Sequence, residues 1–210
     1  MLTFAFDVGE TIVRDDRYWN SWADWLEIPR HTLSALVGAV VAQGRDNADA
    51  LRLLHPGIDL DAEYAAREAA GRGERIEEAD LYPDVRPALI ALRAAGHRLL
   101  IAGNQTGQSA ELLRALDLPV DGIATSGEWG VAKPDPAFFA RLVEFAETPP
   151  DRIVYVGDHP ANDIGPAKAA GLRAAHIRRG PWGHLWADEP AAAVADWRIT
   201  SLTELADLSR

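Results

Sequence analysis

Thr3-Phe4-Ala5-Phe6-Asp7-Val8-Gly9-Glu10-Thr11-Ile12-Val13 decides the fold. An apolar run of strand formers leads straight into a carboxylate, and Gly9 then permits a sharp turn before the chain continues. Asp7 is therefore expected at the C-terminal tip of a strand. In an open α/β sheet that edge is where ligands bind, above all where the strand order reverses. An isolated Asp-x-Gly is more often an ordinary turn, so the functional reading depends on later segments that answer it.

Beyond Val13 the period changes from strand to helix. Tyr18, Trp19, Trp22, Trp25 and Leu26 recur at helical spacing, followed by Leu33, Leu36, Val37, Val40 and Val41. The pattern predicts a helical insertion over 14–80, splitting a core made of 1–13 and 81–210. Its Trp cluster reads as the packing of a small helical domain, since large aromatics fill cores efficiently. Gly71 and Gly73 mark a break inside it.

From Leu81 helices and strands alternate. Tyr82-Pro83-Asp84-Val85 opens a helix lined by Leu89, Leu92 and Ala95 and ended by Gly96. A buried strand follows over 97–102, stopping at Gly103-Asn104-Gln105-Thr106-Gly107, then a helix through Leu112, Leu113 and Leu116 and a short strand at 122–125. After Gly130-Val131-Ala132-Lys133-Pro134-Asp135-Pro136 come a helix at 138–146, a core strand at 152–156, and Gly157-Asp158-His159-Pro160-Ala161-Asn162-Asp163-Ile164. Strands at 173–177 and 197–200 and a helix from Ser201 complete the pattern. Such alternation predicts an α/β fold, a Rossmann-like parallel sheet with helices on both faces.

Composition sets the outer limits. The chain has 210 residues, 48% hydrophobic and 25% charged, enough for one α/β core and a smaller insert. A formal charge of −11 argues against nucleic acid or an anionic membrane as partner. With no cysteine, disulfides and thiolate metal sites are excluded. The first strand starts almost at Met1 and no stretch of about 18 apolar residues occurs, so a soluble, cytoplasmic protein is expected.

Three acids fall at the tips of expected strands, Asp7 after the first and Asp158 and Asp163 after the strand at 152–156. Brought together they would repel, and a hard divalent cation, Mg²⁺, is the usual remedy. Lys133 adds a compact positive charge suited to a phosphate or a neighbouring carboxylate, in a chain with only two lysines against nineteen arginines. Gly103 and Asn104 precede a helix whose free N–H groups can hold an anion.

Taken together, Phe6-Asp7-Val8-Gly9-Glu10-Thr11, the strand ending in Gly103-Asn104, the segment around Lys133-Pro134-Asp135-Pro136 and the one from Val156 to Gly171 resemble the four motifs of the haloacid-dehalogenase-like (HAD) hydrolase superfamily. The resemblance spans essentially the whole chain, and the insertion is similar to that family's cap domain. It implies a Rossmann-like core with the first strand central and a Mg²⁺-dependent phosphatase acting through an aspartyl-phosphate on a small phosphorylated metabolite. By position it makes Asp7 the nucleophile and places the metal on Asp7, the Gly9 carbonyl and Asp158, with Asp163 a further ligand or a partner behind the ligands. Lys133 would hold Asp7 and the phosphoryl group, with Gly103 and Asn104 at the phosphate. A monomer or homodimer is expected.

Two positions depart from the pattern. Family phosphatases usually carry a second Asp two residues after the nucleophile as general acid and base, and Gly9 stands there. Where the second motif usually offers a Ser or Thr hydroxyl, this chain has Gly103. Glu10 is an adjacent carboxylate, but along a strand it would point to the opposite side. The departures keep two other classes in view: a catalytically silent member binding a phosphorylated ligand or a protein, and a dehalogenase-type hydrolase.

Overall fold

The computed structural model describes residues 1–208. In chain order the elements are β1 (Thr3–Phe6), α1 (Asp16–Trp25), α2 (Arg30–Ala42), α3 (Asp49–Leu54), α4 (Leu60–Ala69), α5 (Val85–Ala94), β2 (Arg98–Gly103), α6 (Gly107–Ala115), β3 (Gly122–Thr125), α7 (Ser126–Trp129), α8 (Pro136–Ala146), β4 (Ile153–Gly157), α9 (Gly165–Ala169), β5 (Arg173–Ile177), α10 (Gly180–Leu185), α11 (Pro190–Ala193), β6 (Trp197–Ile199) and α12 (Leu205–Leu208). The chain divides into two compact units, residues 1–14 with the chain from Ile76 onward, and Asp15–Arg75.

In the first unit six strands form one parallel sheet in the order β3-β2-β1-β4-β5-β6. Every residue of β1 is buried, as expected of an interior parallel strand covered on both faces. Alternation sends Phe4 and Phe6 to one face with Leu99, Ile101, Val154 and Val156, where α5 adds Val85, Leu89 and Leu92. Ala5, Leu100, Ala102 and Tyr155 point to the other face and meet Phe138, Phe139 and Leu142 of α8. The strand order reverses at β1, which pairs with β2 on one side and β4 on the other. The C-terminal end of β1 is thus the topological switch point.

Several boundaries differ from expectation. The strand expected at 97–102 occupies Arg98–Gly103, one residue further, so that Gly103 closes the ladder opposite Thr125. Ile76 joins the core cluster of the sheet unit, and Leu81 bridges Val13, so the chain re-enters that unit before residue 81. Past β6, Ser201 opens a single tight turn over Leu202–Glu204 before α12. The short helices α7, α10 and α11 carry too few residues for a 3.6-residue period to register.

The second unit consists of α1 to α4. Trp22 is fully buried, edge-on to Tyr64 with ring centroids 5.0 Å apart. Around it α2 buries Leu33, Val37, Val40 and Val41, and α3 buries Ala50 and Leu51. Trp25 is only half-buried, and its indole N–H donates to Glu63 at 2.6 Å. No helix among the described residues is long and apolar enough to cross a membrane.

Candidate active site

Asp7 is the residue after β1, held there by its N–H, which donates to the carbonyl of Val156 at 2.9 Å. Because Phe6 pairs with both Ile101 and Val156, Asp7 stands at the switch point beside the ends of β2 and β4. Those strands end in Gly103 and Gly157, and each glycine makes room for a carboxylate. A β-carbon at Gly103 would lie 2.7 Å from Asp7 Oδ1 and 3.0 Å from Val8 Cγ2; one at Gly157 would lie 2.2 Å from Asp163 Oδ2. Neither carboxylate could stay where it is beside such a β-carbon.

Lys133 binds the acids together. Its ammonium donates to Asp7 Oδ1 and to Asp163 Oδ1, each at 2.6 Å, and all three side chains are nearly solvent-free. The ammonium also lies 5.2 Å from the Tyr155 ring centroid and 5.9 Å from that of Phe138, so its other side is aromatic. The second oxygen of Asp163 accepts the His159 N–H at 2.9 Å. That bond ties Asp163 to the wide helical turn over Pro160–Ile164, which follows Asp158.

Burial pushes the Asp7 carboxyl up to about 6 against the pull of Lys133, and the Asp163 charge adds to the rise. Burial also works against the Lys133 ammonium, but Asp163 and Asp7 outweigh it and hold its pKa well above the ordinary value. At neutral pH the lysine is charged and Asp7 is a carboxylate.

Asp7, Asp158 and Asp163 each offer an oxygen, and these atoms lie within 4.8 Å of one another. Three hard oxygen donors with a single ammonium beside them form a donor set that fits a hard divalent cation. Asp158 is steadied from beneath: His176 donates from Nε2 to its main-chain carbonyl at 2.9 Å, and a β-carbon on Gly183 would lie 3.3 Å from its Cβ. His176 escaped the sequence reading. Its one signal is a polar ring inside the buried strand Arg173-Ala174-Ala175-His176-Ile177, in register with Gly157.

Gly9 lies in the turn after Asp7, closed by Ile12 and Val13 N–H groups donating to Val8 O at 2.9 Å. Glu10 is not on a strand. It takes a left-handed conformation, φ 51°, with its side chain against Gly180, and its carboxylate accepts the Tyr82 hydroxyl. Asn104, expected at the phosphate, turns its amide to the main chain of Lys133: Nδ2 donates to Lys133 O at 2.9 Å and Oδ1 accepts Lys133 N–H at 2.7 Å. One amide hydrogen is left for another acceptor.

Comparison with known proteins agrees with this geometry. A family model described as haloacid dehalogenase-like hydrolase matches residues 1–171. A glyceraldehyde 3-phosphate phosphatase of Methanopyrus kandleri is 34% identical over 134 residues, covering 61% of this chain and 56% of the relative. A phosphoserine phosphatase of Thermus thermophilus is 31% identical, covering 67% of this chain and 60% of the relative. The chain thus spans somewhat more than half the length of these relatives. Among solved structures, a predicted phosphoglycolate phosphatase from Haemophilus somnus superposes with a TM-score of 0.73 at 21% identity, covering 100% of this chain and 98% of that one. With the family model matching most of its length, this chain belongs to the haloacid dehalogenase-like hydrolases.

Proposed function

We propose that the protein is a phosphatase of a small phosphorylated metabolite, with Asp7 as nucleophile and Asp7, Asp158 and Asp163 holding Mg²⁺. The observation that carries the reading is the pairing of Asp7 with Lys133 beside the two other acids at one sheet edge. Phosphatase names among its relatives support the reaction class. The inserted unit of α1 to α4 would serve as the cap that admits the substrate.

Asp7 Oδ1 is engaged by Lys133, which holds the carboxylate in one orientation and leaves its other oxygen to attack phosphorus. Attack forms an O–P bond to Asp7 and breaks the bond to the leaving alcohol, splitting one hard displacement into two. The Lys133 charge also stabilises the phosphoryl oxygens in the transition state. A bound Mg²⁺ would neutralise charge on the transferring group. Water then attacks phosphorus, forming a new O–P bond and breaking the one to Asp7, so that inorganic phosphate leaves and the Asp7 carboxylate is regenerated.

No carboxylate occupies position 9, so the leaving alkoxide departs without a neighbouring acid, and turnover of unactivated esters is slow. Purified protein with Mg²⁺ and an aryl phosphate should release phosphate, and Asp7→Asn should abolish it. Release at the same rate from Asp7→Asn would sink the reading. A silent binding module, which Gly9 also favours, would show no release from either.

A further inference from the structure

The Asp15–Arg75 unit contains a cavity of about 290 Å³ whose lining includes Arg17, Ser21, Asp24, Arg72, Glu74 and Arg75. Its volume lies near the lower end for small-molecule sites. The mouth is shaped by two glycines that close α4. Gly71 is left-handed, φ 67°, and a β-carbon on Gly73 would collide with the Glu68 side chain at 1.8 Å. This turn delivers Arg72 and Arg75 to the cavity wall.

Behind the wall lies Arg67, 2% exposed. Its guanidinium stacks over the Trp22 ring at 4.2 Å, and Nη2 donates to Ser21 Oγ, itself part of the cavity lining, at 2.6 Å. Its Nε is buried and has no hydrogen-bond partner. Burial lowers the Arg67 pKa, against the pull of Tyr18, Tyr64 and Glu74. A buried guanidinium that ends on a hydroxyl instead of a carboxylate is costly unless an anion compensates it.

The surrounding charges favour an anion too. The lining sets three arginines, Arg17, Arg72 and Arg75, against two acids, Glu74 and Asp24, and Asp24, within electrostatic reach of Arg72, is held bidentate by Arg30 at 2.8 and 2.6 Å. Neither Arg72 nor Arg75 forms an ion pair with a carboxylate among the described residues. Arg72 leans over the Trp25 ring at 5.3 Å, and Arg75 donates to Gly71 O. In a chain of net charge −11 this is a local concentration of guanidinium groups.

We propose that this cavity is a binding site for a small oxyanion, a phosphate or carboxylate group, gripped by Arg72 and Arg75 at the mouth with Ser21 and the Arg67 charge behind. Planar guanidinium forks suit such groups better than ammonium would. The site is built wholly within the helical unit and owes nothing to Asp7 or Lys133.

The test uses the full chain labelled with ¹⁵N at the Trp indoles, the Trp22 and Trp25 signals being assigned by Trp→Phe variants. Inorganic phosphate is titrated in without divalent metal, against sodium chloride of equal ionic strength. A saturable shift of the Trp25 or Trp22 signal is expected with phosphate and not with chloride. The shift should persist in Asp7→Asn, and its affinity should fall roughly tenfold or more in Arg72→Gln/Arg75→Gln. Both arginines are exposed, so that variant should keep its fold, checked by circular dichroism. Equal shifts with chloride, or undiminished affinity in the double variant, would overturn the proposal.

Discussion

Two glycines set the chemistry at the scale of single residues, and they act differently. Gly9 leaves the turn after Asp7 without a second carboxylate, and Glu10 does not replace it because Tyr82 and Gly180 hold its side chain. General acid catalysis is worth about 10² to 10⁴ in rate, roughly 3 to 5 kcal/mol. Hydrolysis should therefore depend steeply on the leaving group, with aryl phosphates far ahead of alkyl ones. Gly9→Asp should flatten that dependence by raising the alkyl rates, as a series of esters of graded leaving-group pKa would show. An equally shallow dependence in both proteins would mean that another acid already acts. Gly103 behaves in the opposite way. A β-carbon there falls 2.7 Å from Asp7 Oδ1, so Gly103→Ser, though it brings back the family hydroxyl, should displace Asp7 and lower the Asp7-dependent rate. A rate increase in that variant would show that Asp7 can yield without loss.

At the scale of elements, the site depends on how strand ends and loops are tied to one another. Asn104, at the end of β2, holds both main-chain groups of Lys133. Asn104→Ala should therefore lower kcat with little change in KM, since what it loses is the aim of the ammonium at Asp7. A KM effect alone would point to direct substrate contact. Asp84 joins more distant parts. Its Oδ2 accepts from Ser201 Oγ at 2.7 Å, from Leu202 N–H at 2.8 Å and from Arg179. Burial raises its pKa, but these donors outweigh it and the net shift is downward. A depressed carboxylate pKa contributes stability above the ordinary value of 3.8, lost as pH falls through the folded pKa. Asp84→Asn should thus cost about 2 kcal/mol at neutral pH, and the gap to the parent should close as pH falls below 3.8 in chemical denaturation. The contrast shows what the sequence could reveal. β1, β2 and β4 announce themselves as apolar runs with a carboxylate or glycine at the tip, so the sheet and the meeting of Asp7, Lys133, Asp158 and Asp163 were legible. Asp84 reads as a helix opener from its neighbours Pro83 and Val85. Its real partners, Arg179 and Ser201, lie 95 and 117 residues away, and no local period encodes them. His176 escaped for the same reason, and so did the hold of Asn104 on Lys133, though Asn104 itself was expected at the phosphate, because each acts on a main chain that only folding brings near.

For the whole molecule the governing quantity is charge. A net charge of −11 attracts any divalent cation diffusely, and ordinary salt screens that attraction. A built site behaves otherwise: three acids whose oxygens lie within 4.8 Å are buried and concentrated at one point of the sheet unit, two of them, Asp7 and Asp163, paired with Lys133. A cation bound to the folded state and not to the unfolded chain stabilises it by about 2.7 kcal/mol at a hundred times its dissociation constant. Mg²⁺ should accordingly raise the melting temperature beyond what NaCl of equal ionic strength achieves, and chelation should reverse the gain. Since the chain comprises two compact units, calorimetry is the suitable measurement, because the shift should fall on the transition of the unit that holds the acids. Asp158→Asn removes one of the three donors and leaves the Lys133 pairs with Asp7 and Asp163 in place. It should keep the fold yet lose most of the Mg²⁺-specific shift. If that shift persists undiminished in Asp158→Asn, the cation is acting on surface charge and the three acids are not its site.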